Sequence, residues 1–481
     1  MLRWVRMNAT RPLILVVAVL TGACIFIPIP RKESSFDAWA RDDATGFGEL
    51  VQLTERMRGH RFLRPVRLYT PGDSSIEATL DARERGLAGH MVTLQALRLA
   101  NPIPTERQRQ RRARWERSRG GCGGAVYDPS SQRIQACVLV TRRLHMGPII
   151  KRKSYRDDNV FAANILYGAP TFGGLLRSRE VSRRIHPQRQ FAEYVTVRTI
   201  VEALQDQHLS PRIPRGGPTT DAREARRALF AGDAELAAMG MHADDNGVRP
   251  LGPPASDVLE GQDTLATCKS AIDAALNAGL DRGRAHLRCL RHVDAPRLAA
   301  TLYRKWKWAG VDAAHFAPPD STAQVLHPER YLAGEHPETL RTGPLDGLLQ
   351  KGLQRLGEDR VGEALVAAYF GGGAPLDQAR QVASDLRGDR VLLLAPNGHT
   401  AAPTAIWWTR WSDEPSAERA TALFADAHSA LSGPERGLSL LRRFGADVLV
   451  VRGLPRELHV TLLTDVKPPA GADAGDRGDP P

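Results

Sequence analysis

The stretch Arg198-Thr199-Ile200-Val201-Glu202-Ala203-Leu204-Gln205-Asp206-Gln207-His208 decides how this chain is read. With the residue before it, it places Val197, Ile200, Val201 and Leu204 at i, i+3, i+4 and i+7, which is one face of a helix. A buried helix over 191–207 is the expectation. A Gly216-Gly217-Pro218 turn then leads into a second helix at 221–241. Helices at about 262–279 and 294–309 continue an α-helical middle that Pro318 and Pro319 stop. On the other side of the central stretch, 62–68 reads as a strand and 75–100 as a helix ending before Pro102 and Pro104. Ala125 to Pro129 reads as a strand and turn, and Ile134 to Thr141 as a second strand able to pair with the first as a hairpin. The last third mixes helices at 344–370, 374–386 and 416–431 with strands at 391–394, 404–411, 447–452 and 458–464. Residues 467–481, rich in Pro, Gly, Ala and Asp, read as a disordered tail.

The N-terminus speaks to compartment. Arg3, Arg6 and Arg11 give a basic start, Leu13 to Leu20 form an apolar run, and Leu20-Thr21-Gly22-Ala23-Cys24 puts small residues just before a cysteine. That is the layout of a signal peptide. The five residues resemble a bacterial lipobox, which implies diacylglycerol on Cys24 and a membrane partner through that anchor. A plain signal peptide and an uncleaved anchor are the other readings. The apolar stretch from Leu13 to Ile27 is about 15 residues, short of the roughly 20 that span a bilayer. All three export the remainder, to the periplasm or the cell surface.

The net charge of +12 falls by three if residues 1–23 are removed, because three arginines and no acids leave. The excess is concentrated in seven arginines between Arg107 and Arg119. Such a run can contact anionic lipid or nucleic acid, or lie as a solvated loop. Export and the lack of any nucleic-acid motif argue against nucleic acid. Apart from Cys24, the cysteines stand at 122, 137, 268 and 289. Their spacing in an oxidising compartment points to Cys122 with Cys137 and Cys268 with Cys289, each closing a loop of roughly 15 to 20 residues worth about 3 kcal/mol. A metal site is the rival, weakened by the absence of any Cys-x-x-Cys.

Beyond its periodicity, the central stretch resembles a family of exported bacterial zinc peptidases in which this helix reads His-Glu-x-x-His-Ala-Leu-Gln-Asp-Gln. Ala228-Leu229-Phe230-Ala231-Gly232-Asp233-Ala234 is similar to the family's Ala-Leu-x-Glu-Gly-Asp-Ala on a second helix. The block from Pro318 to Tyr331, with Ser321-Thr322 and Leu326-His327-Pro328-Glu329, is close to the family's Pro-Pro-x-Ser-Thr-Glu-Gln-x-Leu-His-Pro-Glu-Lys-Tyr. Tyr127-Asp128-Pro129, Gly362-Glu363 and Gly388-Asp389-Arg390 also fall where the family has similar residues. The resemblance covers most of 55–430 and implies an α+β class: a helix-rich metallopeptidase-like core with small antiparallel β elements and a C-terminal α+β part. The expected organisation is a signal peptide at 1–23, a lipid-anchored linker at 24–54, the core at 55–343, the C-terminal region at 344–466 and the tail at 467–481.

In the intact motif two histidines at i and i+4 share one Zn²⁺, the glutamate beside the first acts as base, and a glutamate from the second helix completes the ligands. Here those positions hold Arg198, Thr199, Glu202 and Ala231. A guanidinium cannot deprotonate to bind zinc and a methyl has no donor, so no catalytic residue, metal or cofactor is expected. Arg198 and Glu202, an i, i+4 pair of opposite charge, are expected to fill the vacated space with an ion pair. His208 lies about 240° around the helix from Glu202 and reads as a helix-end residue. The His242, Asp244 and Asp245 cluster, and His286 with His292, lack ligand spacing and read as structural. The resemblance marks His327, Glu329, Tyr331 and Glu363 as cleft or loop residues. Trp306, Trp308, Trp407, Trp408 and Trp411 either line a groove for peptide or glycan or pack into the core. The expectation is a non-catalytic binding or scaffold protein for an unknown protein, peptide or glycan. The alternative is an active hydrolase with a rearranged metal site.

Overall fold

In the computed structural model the described residues are 47–69, 88–99, 125–129, 131–136, 187–209, 218–242, 263–277, 279–340, 346–396, 403–429 and 438–465. The signal peptide, Cys24, the arginine run, Cys122, Cys137, Asp244, Asp245 and the tail lie outside them, as does 75–87 of the helix expected at 75–100. No helix among the described residues is long and apolar enough to cross a membrane.

The class is α+β. The central stretch is a helix at Pro187–His208, and Thr220–His242 is the helix that lies beside it. Val197, Ile200, Val201 and Leu204 are all buried as the spacing requires, but so are Tyr194, Thr196, Thr199, Ala203 and Gln205. The first helix is thus enclosed on nearly every side, and its polar residues must find partners inside the protein. Helix Phe47–Arg58 closes one flank, with Phe47, Leu50 and Val51 buried. Part of the stretch 24–54 read as a linker therefore packs into the core, because three apolar side chains at i, i+3 and i+4 give this helix a face to bury.

Strands β1 (Arg67–Tyr69), β2 (Ala125–Asp128) and β3 (Arg133–Ala136) form a small sheet in the order β1-β3-β2. β2 and β3 make the expected antiparallel hairpin, whereas β1 runs parallel to β3, so this sheet is mixed rather than antiparallel. The strand read at 62–68 is shorter and later than expected; Phe62 is buried as a loop anchor instead.

The helical middle holds Thr264–Asn277 and Arg282–Cys289, one π-type turn at Leu290–Asp294, and Ala295–Phe316. In that turn the amide of Ala295 donates to the carbonyl of Leu290. The segment 282–293, not foreseen as helix, joins its neighbours through the expected Cys268–Cys289 disulfide.

A second sheet is wholly antiparallel: β4 (Leu353–Asp359), β5 (Leu386–Pro396), β6 (Thr404–Trp411), β7 (Ser439–Phe444) and β8 (Asp447–Arg452) stand in the order β4-β5-β6-β8-β7. The helix read at 344–370 is really Asp346–Gln350, strand β4 and Gly362–Phe370. Gly352, at φ +86°, turns the chain where a helix would have continued, and β4 is held by pairing with β5 far along the sequence. Residues 458–464 are the converse case. They form the helix His459–Asp465, whose Leu462 is buried in the cluster that holds Trp408. Of the tryptophans, 407, 408 and 411 are packed within the protein and line no groove, while Trp306 is 47% exposed.

The largest apolar cluster joins Leu94, Leu229 and Leu298 to Phe370, Trp407 and Val450, so one core crosses the boundary read at 343.

Candidate functional site

The two central helices meet face to face. Arg198 and Glu202 share one side of the first, Ala231 and Glu235 one side of the second, each pair four residues apart. The Arg198 guanidinium donates to Glu235 Oε1 at 3.1 Å, with Glu235 entirely enclosed. Tyr194 hydroxyl donates to the other carboxylate oxygen, and His292 Nδ1 lies 2.9 Å from Oε1. Burial opposes the charge on Arg198, but Glu235, Glu202 and Tyr194 outweigh it and hold the guanidinium firmly protonated. Burial keeps His292 neutral against the pull of Glu235. The expected ion pair is therefore wider than Arg198 with Glu202: its hydrogen-bonded carboxylate comes from the neighbouring helix, one turn past Ala231. Thr199, at the base position, turns its hydroxyl back to the carbonyl of Val195 at 2.7 Å.

These residues do not fit a zinc ion. A protonated guanidinium occupies the first of those positions, and its charge faces the carboxylates of Glu235 and Glu202. Among the described residues, the one group of His, Cys, Asp or Glu with three donors close enough to share an ion is Cys268, Cys289 and Asp294. Two of those are joined as the disulfide, and Arg380 sits against both sulfurs and Asp294.

The other residues that carry the resemblance make contacts within the protein. Gln205 donates to Asp233 Oδ2 at 2.8 Å, Asp206 accepts from Tyr127 at 2.9 Å, and Gln207 accepts from the amides of Leu63 and Arg64. His208 caps this end against the carbonyl of Arg61. Asp233 also accepts from Arg58 at 3.0 Å and lies 2.9 Å from His315 Nε2. Gly232 is required at the crossing with the Ala295–Phe316 helix, since a Cβ there would lie 2.5 Å from the Ala295 carbonyl. Gly362, at φ +75°, lets its own amide and that of Val361 donate to Asp389. Burial and the neighbouring Asp221 push Asp389 up to about 7 against those donors. Thr322 donates to Asp221 through both its amide and its hydroxyl.

On the far side of the π-type turn lies a cavity of about 240 Å³. Leu290 and Asp294 line it, whereas His292 between them reaches the Arg198 cluster, so this one turn serves both places. His327, Glu329 and Glu363, singled out in the sequence, converge here; Tyr331 does not, and donates to the carbonyl of Ala317. His327 Nε2 is 2.8 Å from Glu363, which also takes a 3.4 Å contact from Arg330. Sequence reasoning missed His286, Asp294, Arg297 and Arg380, which complete the cavity. The mid-helix π-type turn that brings them together has no signature in residue spacing. His286 was visible only as a histidine without ligand spacing.

No family model, curated protein or solved structure matches the chain.

Proposed function

We propose that this chain is an exported, lipid-anchored envelope protein built on a metallopeptidase-like scaffold, and that it works by binding rather than by hydrolysis. The observation that carries the reading is the buried Arg198–Glu235 pair at the helix crossing where the resemblance would put a metal. A fixed cation from the chain stands there in place of a divalent ion, and Glu235 is engaged by Arg198, Tyr194 and His292. A second pattern supports the resemblance itself. Its motif residues pair with one another across long stretches of sequence, as in Gln205 with Asp233, Tyr127 with Asp206 and His327 with Glu363. What has been kept is scaffold, and what has been lost is ligand.

The test is metal content with activity. The full chain, purified in detergent, should carry no stoichiometric zinc and cleave no peptide library. The triple variant Arg198→His/Glu202→His/Ala231→Glu, which supplies the three missing donors, should take up about one zinc per chain. Stoichiometric zinc and peptidase activity in the natural chain would refute the reading. A folded triple variant that ignores zinc would refute the descent from a zinc site.

Export and anchoring rest on Leu20-Thr21-Gly22-Ala23-Cys24. Labelled palmitate should enter the chain in a bacterial host and be lost in Cys24→Ser. Equal labelling of that variant would remove the anchor.

A further inference from the structure

We propose that the cavity beside the π-type turn is the ligand site of this protein and takes a small zwitterion of amino-acid to dipeptide size with an aliphatic side chain. This rests on the reading of the chain as a binding protein.

Size comes first: about 240 Å³ is below the range of drug-sized pockets but ample for such a molecule. The charges come next. Arg380 is spent on Asp294, at 2.7 and 3.1 Å, and Glu363 on His327 and Arg330. Two charged groups remain at the rim. Arg297 is exposed and has no ion pair or hydrogen bond among the described residues. Glu329, with its side chain 75% exposed, makes only a loose 3.7 Å approach to His327. One free cation and one free anion at the mouth match a molecule carrying a carboxylate and an ammonium.

The interior supplies the remainder. His286 is 6% exposed, lines the cavity, and has no hydrogen-bond partner among the described residues. Burial, with Arg380 and Arg282 nearby, holds it down to about 3, so it presents a neutral imidazole able to donate and accept. Its ring nitrogens are not sealed off among the buried unpartnered atoms, so the cavity it lines is where a partner can reach it. An amide or amine of the ligand does so. Leu290, Leu326, Ala364 and Ala367 give the apolar wall on which an aliphatic side chain packs.

Calorimetry on the full chain in detergent tests this with glycyl-L-leucine, N-acetylglycyl-L-leucine and glycyl-L-leucinamide. The unmodified dipeptide should bind, and each blocked form at least about tenfold more weakly. Arg297→Met should erase the difference between acid and amide, and Glu329→Gln that between free and acetylated amine. Both residues are exposed, so the variants should keep the parent's melting temperature. No binding of any of the three up to roughly 10 mM, or equal binding of all three, overturns the proposal. Recovering the bound dipeptide by mass spectrometry separates the two readings. Intact dipeptide supports both, whereas free glycine and leucine would uphold the site and defeat the non-catalytic reading. Absence of binding would defeat the site alone.

Discussion

Arg198→Met should destabilise the protein by about 3 to 5 kcal/mol, read as a lower denaturant midpoint with an unchanged slope. The reason is what it leaves behind. Glu235 is fully enclosed, and without the guanidinium its charge would be answered only by the Tyr194 hydroxyl and a neutral His292. Removing one partner of a buried pair costs far more than the pair contributes. The charge on Arg198 also helps to keep His292 neutral. In the variant His292 should take up a proton more readily, so the loss should be smaller at pH 5 than at pH 8. The double variant Arg198→Met/Glu235→Leu removes both charges and should recover most of the stability. If the single variant unfolds at the parent's midpoint, the pair is not the filled centre described above.

Asp233→Asn should be as damaging, again by roughly 3 to 5 kcal/mol. Asp233 is the common acceptor for Arg58, Gln205 and His315, drawn from three other helices. Burial opposes its charge, but Arg58, His315 and Gln205 prevail and hold the carboxyl below its usual range. A carboxyl held low in the fold stabilises above its ordinary pKa and loses that contribution as pH falls through the folded value. The gap between the parent and Asp233→Asn should therefore be full at pH 7 and close as pH falls below about 4. A gap that widened on acidification would mean that Asp233 is protonated in the fold. His315 is the partner most exposed to this loss, since it is fully enclosed and Asp233 is its one hydrogen-bond partner among the described residues, whereas Arg58 keeps Asp312 at 2.6 Å.

Particular elements show where sequence was sufficient. The spacing of Val197, Ile200, Val201 and Leu204 was enough to read the central helix. The Cys268–Cys289 pairing was legible because two cysteines so close in sequence have few alternative partners. Strand β4 and the helix at 459–465 were not. Strand β4 is held by pairing with β5, some thirty residues further on, and the helix at 459–465 by burying Leu462 against Trp408 and its neighbours, contacts that no local pattern announces.

The candidate site divides the same way. The sequence by itself determined which side chains stand on the helix at 198–202, an arginine and a glutamate one turn apart, because their spacing follows from the helical repeat. Only the tertiary structure decided that Glu235 rather than an own-helix neighbour accepts from Arg198, and that His286, Arg297 and Arg380 join His327 and Glu363 around one cavity. Those contacts follow from the crossing of helices at Gly232 and from one widened turn at 290–294, and neither the crossing nor the turn is encoded in any local spacing.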